Sequence, residues 1–295
     1  TGTPVSNTVN YRDGMWSYAA LPALSFDYDR LVAGTADTRF HYAQDSRMWG
    51  RVVAGQLRHD NNGSLTGGGV PESSGAYSFL QIGGDLWQFS GSTADWRAGI
   101  YGATGLMRSD VWRDGGKSEA GTDRDTVYTG GAYLSGQSLE GLRLDGLLQV
   151  SHHSISTASN DGTRLSTSGT GWLASAQAGQ AFMLTPTLSL EPQLQYTIQG
   201  ISLDNAQDDA ASLDWSDSRR QSVQAGLRIG APLNSPAKVL WWVTPSLTQS
   251  FGGHSNVSAS VQGVSDSTAS FRTDLSGTSI GLNGGVNAQI RENVK

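Results

Sequence analysis

The sequence predicts an all-β fold, an up-and-down antiparallel transmembrane β-barrel preceded by one α-helix. Three observations carry this prediction. Apolar and polar residues alternate with a period of two in ten segments of about ten residues or more, the length a tilted strand needs to cross a bilayer. The connections between these segments alternate long and short. No apolar run is long enough to make a transmembrane helix.

The helix comes first in the chain. "MWSYAALPALSFDYDRLVAGTADTRFHYAQDSR" has no period-two pattern, and its spacing predicts a helix over 22–37 with Pro22 in the first turn. Leu24, Tyr28, Leu31 and Thr35 fall on one stripe, while Asp27, Asp29 and Arg30 occupy another. A single helix ahead of a polar-lined barrel predicts a plug.

The ten strand candidates follow in order: 48–59, 76–89, 95–107, 126–137, 142–153, 171–183, 188–200, 220–230, 239–251 and 278–290. The seventh, "LSLEPQLQYTIQG", sets Leu188, Leu190, Leu194, Tyr196 and Ile198 against Ser189, Glu191, Gln193, Gln195, Thr197 and Gln199. Successive strand side chains point to opposite faces, so one face is greasy and the other polar. In a soluble sheet the greasy face lies on a core; in a membrane barrel it meets lipid and the polar face lines a lumen. Trp49, Trp87, Trp96, Trp172, Trp241 and Trp242 lie near strand ends, the placement of an interfacial girdle.

The connections predict the topology. Long stretches at 60–75, 108–125, 155–170, 201–219 and 252–278 alternate with shorter ones at 90–94, 138–140, 184–187 and 231–238. Short turns on one side and long loops on the other are the mark of an up-and-down barrel in an outer membrane. A Greek-key sandwich has no reason to alternate so.

Composition narrows the function classes. The chain has 295 residues and no cysteine, which excludes a disulfide framework or a cysteine-rich metal site. A net charge of −6 gives no concentrated basic face for phosphate, so nucleic acid is not an expected partner. The opening "TGTPVSNTVNYRDGMW" lacks the regions of a signal peptide, so an exported protein would begin upstream of it.

Residues at Tyr18, Pro22, Gly34-Thr35 and Arg39, with "WGRV" at 49–52, "GW" at 171–172, "LEPQLQY" at 190–196 and "GLRIG" at 226–230, give the chain a family likeness. It resembles the C-terminal translocator domain of monomeric autotransporters of type V secretion. The resemblance implies a 12-stranded outer-membrane barrel of a Gram-negative bacterium, threaded by an N-terminal helix. It also implies delivery of an upstream passenger domain to the cell surface. The implied layout is a linker over 1–17, a pore-helix segment over 18–47 and a barrel over 48–295. The implied partners are the chain's own passenger, the lipid bilayer, the barrel-assembly machinery and periplasmic chaperones, with the domain itself a monomer. "GTADTR" departs from the family's linker, and the chain stops at "NAQIRENVK", where the family continues with one more hairpin. A missing hairpin is therefore expected between the last strand and the first.

The candidate lumenal residues are Arg51, Arg97, Arg143, Asp145, Glu191, Gln193, Gln195 and Arg228, a mixed-charge lining that passes extended polypeptide without holding it tightly. Glu191 and Arg228 are placed to meet across neighbouring strands. Leu24, Asp27, Tyr28, Arg30 and Leu31 are the candidate pore-helix residues. In "SHHS" at 151–154 adjacent histidines point to opposite faces and cannot chelate one ion together, which leaves them an interfacial or loop role. "DNNG" at 60–63 reads as a turn. No Gly-x-Ser-x-Gly elbow occurs, and no metal, cofactor or catalytic activity is expected. Two other readings stay open: a passenger-less structural or adhesive barrel, and a soluble β-rich binding module.

Overall fold

The computed structural model describes residues 11–36, 47–60, 65–232, 239–264 and 267–288. The Asn-Asn step of "DNNG", the linker beyond Ala36 and the end of the chain lie outside these residues.

One sheet dominates. Its path runs through β1 (Met48–His59), β2 (Ser73–Ser90), β3 (Ala94–Arg113), β4 (Ser118–Ser138), β5 (Leu142–Ser159) and β6 (Arg164–Gln180). A short β7 (Phe182–Thr185) pairs beside β8 (Leu188–Leu203), and the path continues through β11 (Ser218–Gly230), β12 (Val239–Phe251) and β15 (Gly277–Ala288). Every neighbouring pair is antiparallel, in the simple up-and-down order that the alternating connections predict. The path contains the ten strands expected. Among the described residues β1 and β15 are its two edges, with no ladder between them.

The strands are longer than the alternation predicts. The connection expected at 108–125 is mostly strand, closed by a tight turn in which Asp114, Gly115 and Gly116 all have positive φ. Likewise 155–170 is mostly strand, turning at 160–163. Along β5 the outward residues change from Leu144, Leu148 and Val150 to His152, Ser154 and Ser156, all exposed. Beyond that change the outer face is polar and the inner face mixes His153, Thr157 and Ser159 with a single Ile155, so hydropathy alternation fades although the ladder continues to Ser159. A rim of this kind stands clear of the apolar band.

That band has two aromatic borders. Trp87, Phe89, Phe182 and Trp241 face outward near the short-turn end, while Tyr128, Trp172 and Tyr196 face outward higher up. On β12, Trp241 and Phe251 stand about ten residues apart, which at ~3.4 Å per residue and ~40° tilt makes an apolar belt of about 26 Å. On β8, Leu194 is 56% exposed and Gln195 only 6%. Leu194→Arg is expected to cost about 2–4 kcal/mol in refolding titrations into lipid vesicles, whereas Leu188→Arg, at the strand's end, costs about 0–1 kcal/mol. Equal costs at the two depths would argue that this face does not meet lipid.

Two of the long connections build a second sheet, which the sequence reading takes for loops. β9 (Ala206–Gln207), β10 (Ala211–Trp215), β13 (His254–Val261) and β14 (Thr268–Asp274) pair in the order β14-β13-β10-β9. Its buried side chains Leu213, Trp215, Val257 and Phe271 join one cluster with the helix residues. We call this sheet the lid.

The helix α1 spans Asp13–Ala33 rather than 22–37. It begins inside the expected linker, and Pro22 lies mid-helix instead of in the first turn. The stripe model fails because α1 has no exposed face: Tyr18, Leu21, Leu24, Phe26, Tyr28 and Val32 are all buried around its circumference. A helix enclosed on all sides needs no amphipathic pattern. Pro22 has no N–H for the Tyr18 carbonyl one turn earlier. The indole of Trp215, in the lid, donates to that carbonyl at 3.0 Å.

Candidate functional site, the helix-filled interior

The inward side chains of the main sheet form a polar wall around α1, and the wall holds the helix at three levels. At the N-terminal level the lid grips it. Asp208, between β9 and β10, accepts from Arg12 at 2.6 Å and from the Tyr18 hydroxyl at 2.9 Å. Its other oxygen accepts the Ala210 and Ala211 amides, both at 2.8 Å. Arg113 at the top of β3 binds Asp13, and the Tyr11 ring meets Phe271 edge-on at 4.7 Å.

Burial pushes the Asp208 carboxyl up, but the Ala210 amide, Arg12, the Ala211 amide and Tyr18 outweigh it and hold it below the usual carboxylate range. A depressed folded-state pKa contributes stability above the unfolded value of about 3.9, and that contribution is lost as pH falls through the folded value. Acidification below about pH 4 should therefore lower the hydrogen-exchange protection factors of the Ala210 and Ala211 amides, each taken against the intrinsic rate at the same pH, and Asp208→Asn should flatten that dependence. Protection in the native protein that does not fall with pH over this range would refute the latch.

At mid-depth, ion pairs read α1's own side chains. Asp27 lies 2.6 Å from Arg220 on β11 and 2.7 Å from His59 on β1, with Arg30 at 3.9 Å. Asp29 accepts the Ser151 hydroxyl at 2.7 Å, and its other oxygen is 3.3 Å from His153 Nε2. His153 Nδ1 is 2.6 Å from Asp125 on β4. His152 points outward and His153 inward, so the two diverge as expected, but His153 is fully buried against α1 rather than interfacial or in a loop. Gly171 makes room here, since a Cβ would sit 2.2 Å from the Asp29 carboxylate. Tyr28 packs edge-on to Phe79 and to His153. Leu24 borders a void of about 10 Å³ with Asp123 and Asp125, room for one water. Leu31 packs against the same apolar cluster, half-buried.

Near the short-turn end the wall is tied to itself. Arg143 on β5 grips Glu191 on β8 with bonds of 3.0 and 2.9 Å to its two oxygens, reaching across Gly179, whose absent Cβ would lie 2.6 Å from that carboxylate. Arg228 is opposite Glu191 in register and fully buried, and it donates to the Ala231 carbonyl at 3.2 Å. Asp145 accepts from Ser135, and Gln193 donates to Glu191 at 3.2 Å. Arg97 pairs with Asp85 at 3.4 Å, and Asp85 also accepts the Tyr133 hydroxyl at 2.6 Å. Arg51 donates to the Val32 carbonyl at 2.8 Å, and Gln195 to that of Gly34 at 2.9 Å.

His59, Asp85, His153, Asp208 and Arg220 are absent from the sequence-level candidates. Arg220 and His153 belong to predicted strands with the right parity, so alternation alone could have found them. Asp208 carries no such signal.

The family model for the autotransporter beta-domain matches residues 48–295. The chain belongs to the autotransporter β-domain family. Solved structures agree on the fold. The transport unit of AIDA-I from Escherichia coli superposes with a TM-score of 0.63 at 15% identity, covering 95% of this chain and 100% of that one. The translocator domain of NalP from Neisseria meningitidis gives 0.56 at 16% identity, covering 91% of this chain and 96% of that one. The β domain of Bordetella BrkA gives 0.52 at 18% identity, covering 82% and 98%. An autotransporter β-domain inserts in the outer membrane and mediates export of the passenger domain joined to its N-terminal side. Translocator barrels of this family are non-enzymatic.

Proposed function

We infer that this autotransporter β-domain resides in the outer membrane of a Gram-negative bacterium and carries a polypeptide joined upstream of α1 to the cell surface, itself performing no catalysis. The observation that supports this most is a helix sealed on all sides inside a polar-walled sheet, with its N-terminal end held at the lid. That end of α1 packs against the lid, on the side of the long connections and clear of the apolar belt. Arg51, Arg97, Arg143, Asp145, Glu191, Gln193, Gln195 and Arg228 are read as lumen-lining, and Leu24, Asp27, Tyr28, Arg30 and Leu31 as the helix's seat in the pore. With α1 starting at Asp13, the pore-helix segment takes up part of the expected 1–17 linker, and residues 48–295 remain the barrel. The domain works as a monomer, and the barrel-assembly machinery and periplasmic chaperones are the partners such a barrel requires for insertion.

The test is an epitope-tagged polypeptide fused ahead of Thr1 and expressed in a Gram-negative host. The epitope should become accessible on intact cells, with the barrel in the outer-membrane fraction and heat-modifiable on gels. A correctly inserted barrel whose epitope stays inside would favour the passenger-less adhesive reading.

A further inference from the structure

Five wall glutamines contact α1 and the residues after it through main-chain groups alone. Gln199 donates to the Phe26 carbonyl at 3.3 Å, Gln149 to that of Asp29 at 3.0 Å and Gln81 to that of Val32 at 3.3 Å. Beyond the helix, Gln195 donates to the Gly34 carbonyl at 2.9 Å, while Gln177 accepts the Ala36 amide at 2.9 Å. Gln177, Gln195 and Gln224 are consecutive register partners on β6, β8 and β11, a single row across three strands; Gln224 is the member that meets a side chain, accepting from Arg30 at 3.4 Å. All five contacting residues are buried.

We propose that these glutamines form a binding site for polypeptide main chain, used in turn by each segment of a passenger in transit and finally by α1. This rests on the export reading above. A carbonyl and an N–H are common to every residue except proline, which lacks the latter, so a wall that reads only these is indifferent to sequence. The primary amide suits the task because it offers donor and acceptor together and carries no charge. An apolar wall would leave the passing chain's amides unsatisfied, at a cost in free energy for every residue advanced. A neutral hydrogen bond that trades evenly with water gives a grip that releases. The ion pairs at Asp27 and Asp29 are the opposite case: they recognise α1 specifically and mark where movement stops. The Gln177–Gln195 pair is the sharpest instance, since it holds chain that has already left the helix.

The chain has no cysteine, so a single Gln195→Cys reports contacts cleanly. The full chain is expressed with an unstructured Gly/Ser/Asn polypeptide ahead of Thr1, arrested in mid-export by a ligand-locked folded domain at its N-terminus. Single cysteines are then placed along the unstructured segment. Disulfide capture should occur at the passenger residues that reach the row, move as the arrest point moves, and persist when neighbouring passenger side chains are exchanged. In a second arm, Gln149→Leu/Gln195→Leu/Gln199→Leu should slow surface appearance of the unarrested passenger several-fold at equal levels of heat-modifiable barrel. If the triple variant does not fold, the capture arm decides. No capture of passenger cysteines by a wild-type-like exporter, or an unchanged rate in a folded triple variant, would mean the row only seats α1. If the unmodified chain exports no passenger, the export reading itself falls and takes this proposal with it.

Discussion

Replacing Arg143 with alanine should destabilise the barrel by about 3–5 kcal/mol, among the largest effects of any single wall substitution. Both side chains of the Arg143–Glu191 pair are only 2% exposed. Two charges taken this far from water gain from each other only because one guanidinium nitrogen lies within bonding distance of both carboxylate oxygens. Removing one leaves the other buried and uncompensated, and that orphaned charge dominates the cost. The double variant Arg143→Leu/Glu191→Leu should therefore recover much of the loss, since neither charge is then stranded. Refolding titrations monitored by heat-modifiable mobility check both. A double variant no better than the single would show that the pair contributes through its attraction rather than by cancelling two penalties.

Deleting the helix residues 13–33 should convert a nearly blocked barrel into an open channel. The wall they leave behind carries Gln, Arg, Asp and Ser side chains beside apolar ones such as Phe79, Met107 and Val127, and its polar groups hold water in the bore. Single-channel recordings in planar bilayers should show low, rare conductance for the intact chain and steady conductance for the deletion. A gentler variant, Asp27→Ala/Asp29→Ala, should give flickering openings, because it removes the side-chain locks but leaves the main-chain contacts in place. Equal conductance with and without the helix would show that α1 is not what blocks the path.

Much of the barrel could be read from residue order because, inside the apolar belt, the environment imposes a two-residue rhythm. Glu191 lies inward and Leu194 outward because lipid allows no other parity. Where that constraint ends, the rhythm ends too. The outer parts of β5 and β6 have water on their outer side, where Ser154, Ser156, Ser166 and Ser168 satisfy a strand as well as they would a loop, and only Ile155 and Leu165 mark the buried face. The lid strands are short and serine-rich, with only Leu213, Trp215, Val257 and Phe271 marking their buried side. The helix starts earlier than its sequence predicts because Pro22 is an ordinary first-turn residue in isolation; only the wall and the lid make its mid-helix position tolerable. The Glu191 pairing shows a further limit. Alternation places Glu191 on the inner face, but the choice of Arg143 over a nearer register neighbour depends on a glycine that leaves space between them.

The Trp215 bond to the Tyr18 carbonyl ties two distant stretches of sequence into one structural unit. Its two residues are 197 positions apart. Pro22 leaves that carbonyl without a partner inside the helix, and the lid supplies one. The main chain of α1 is thus fully satisfied at this turn only in company with the lid, so the smallest complete fold of this chain joins the helix near its start to strands near its end.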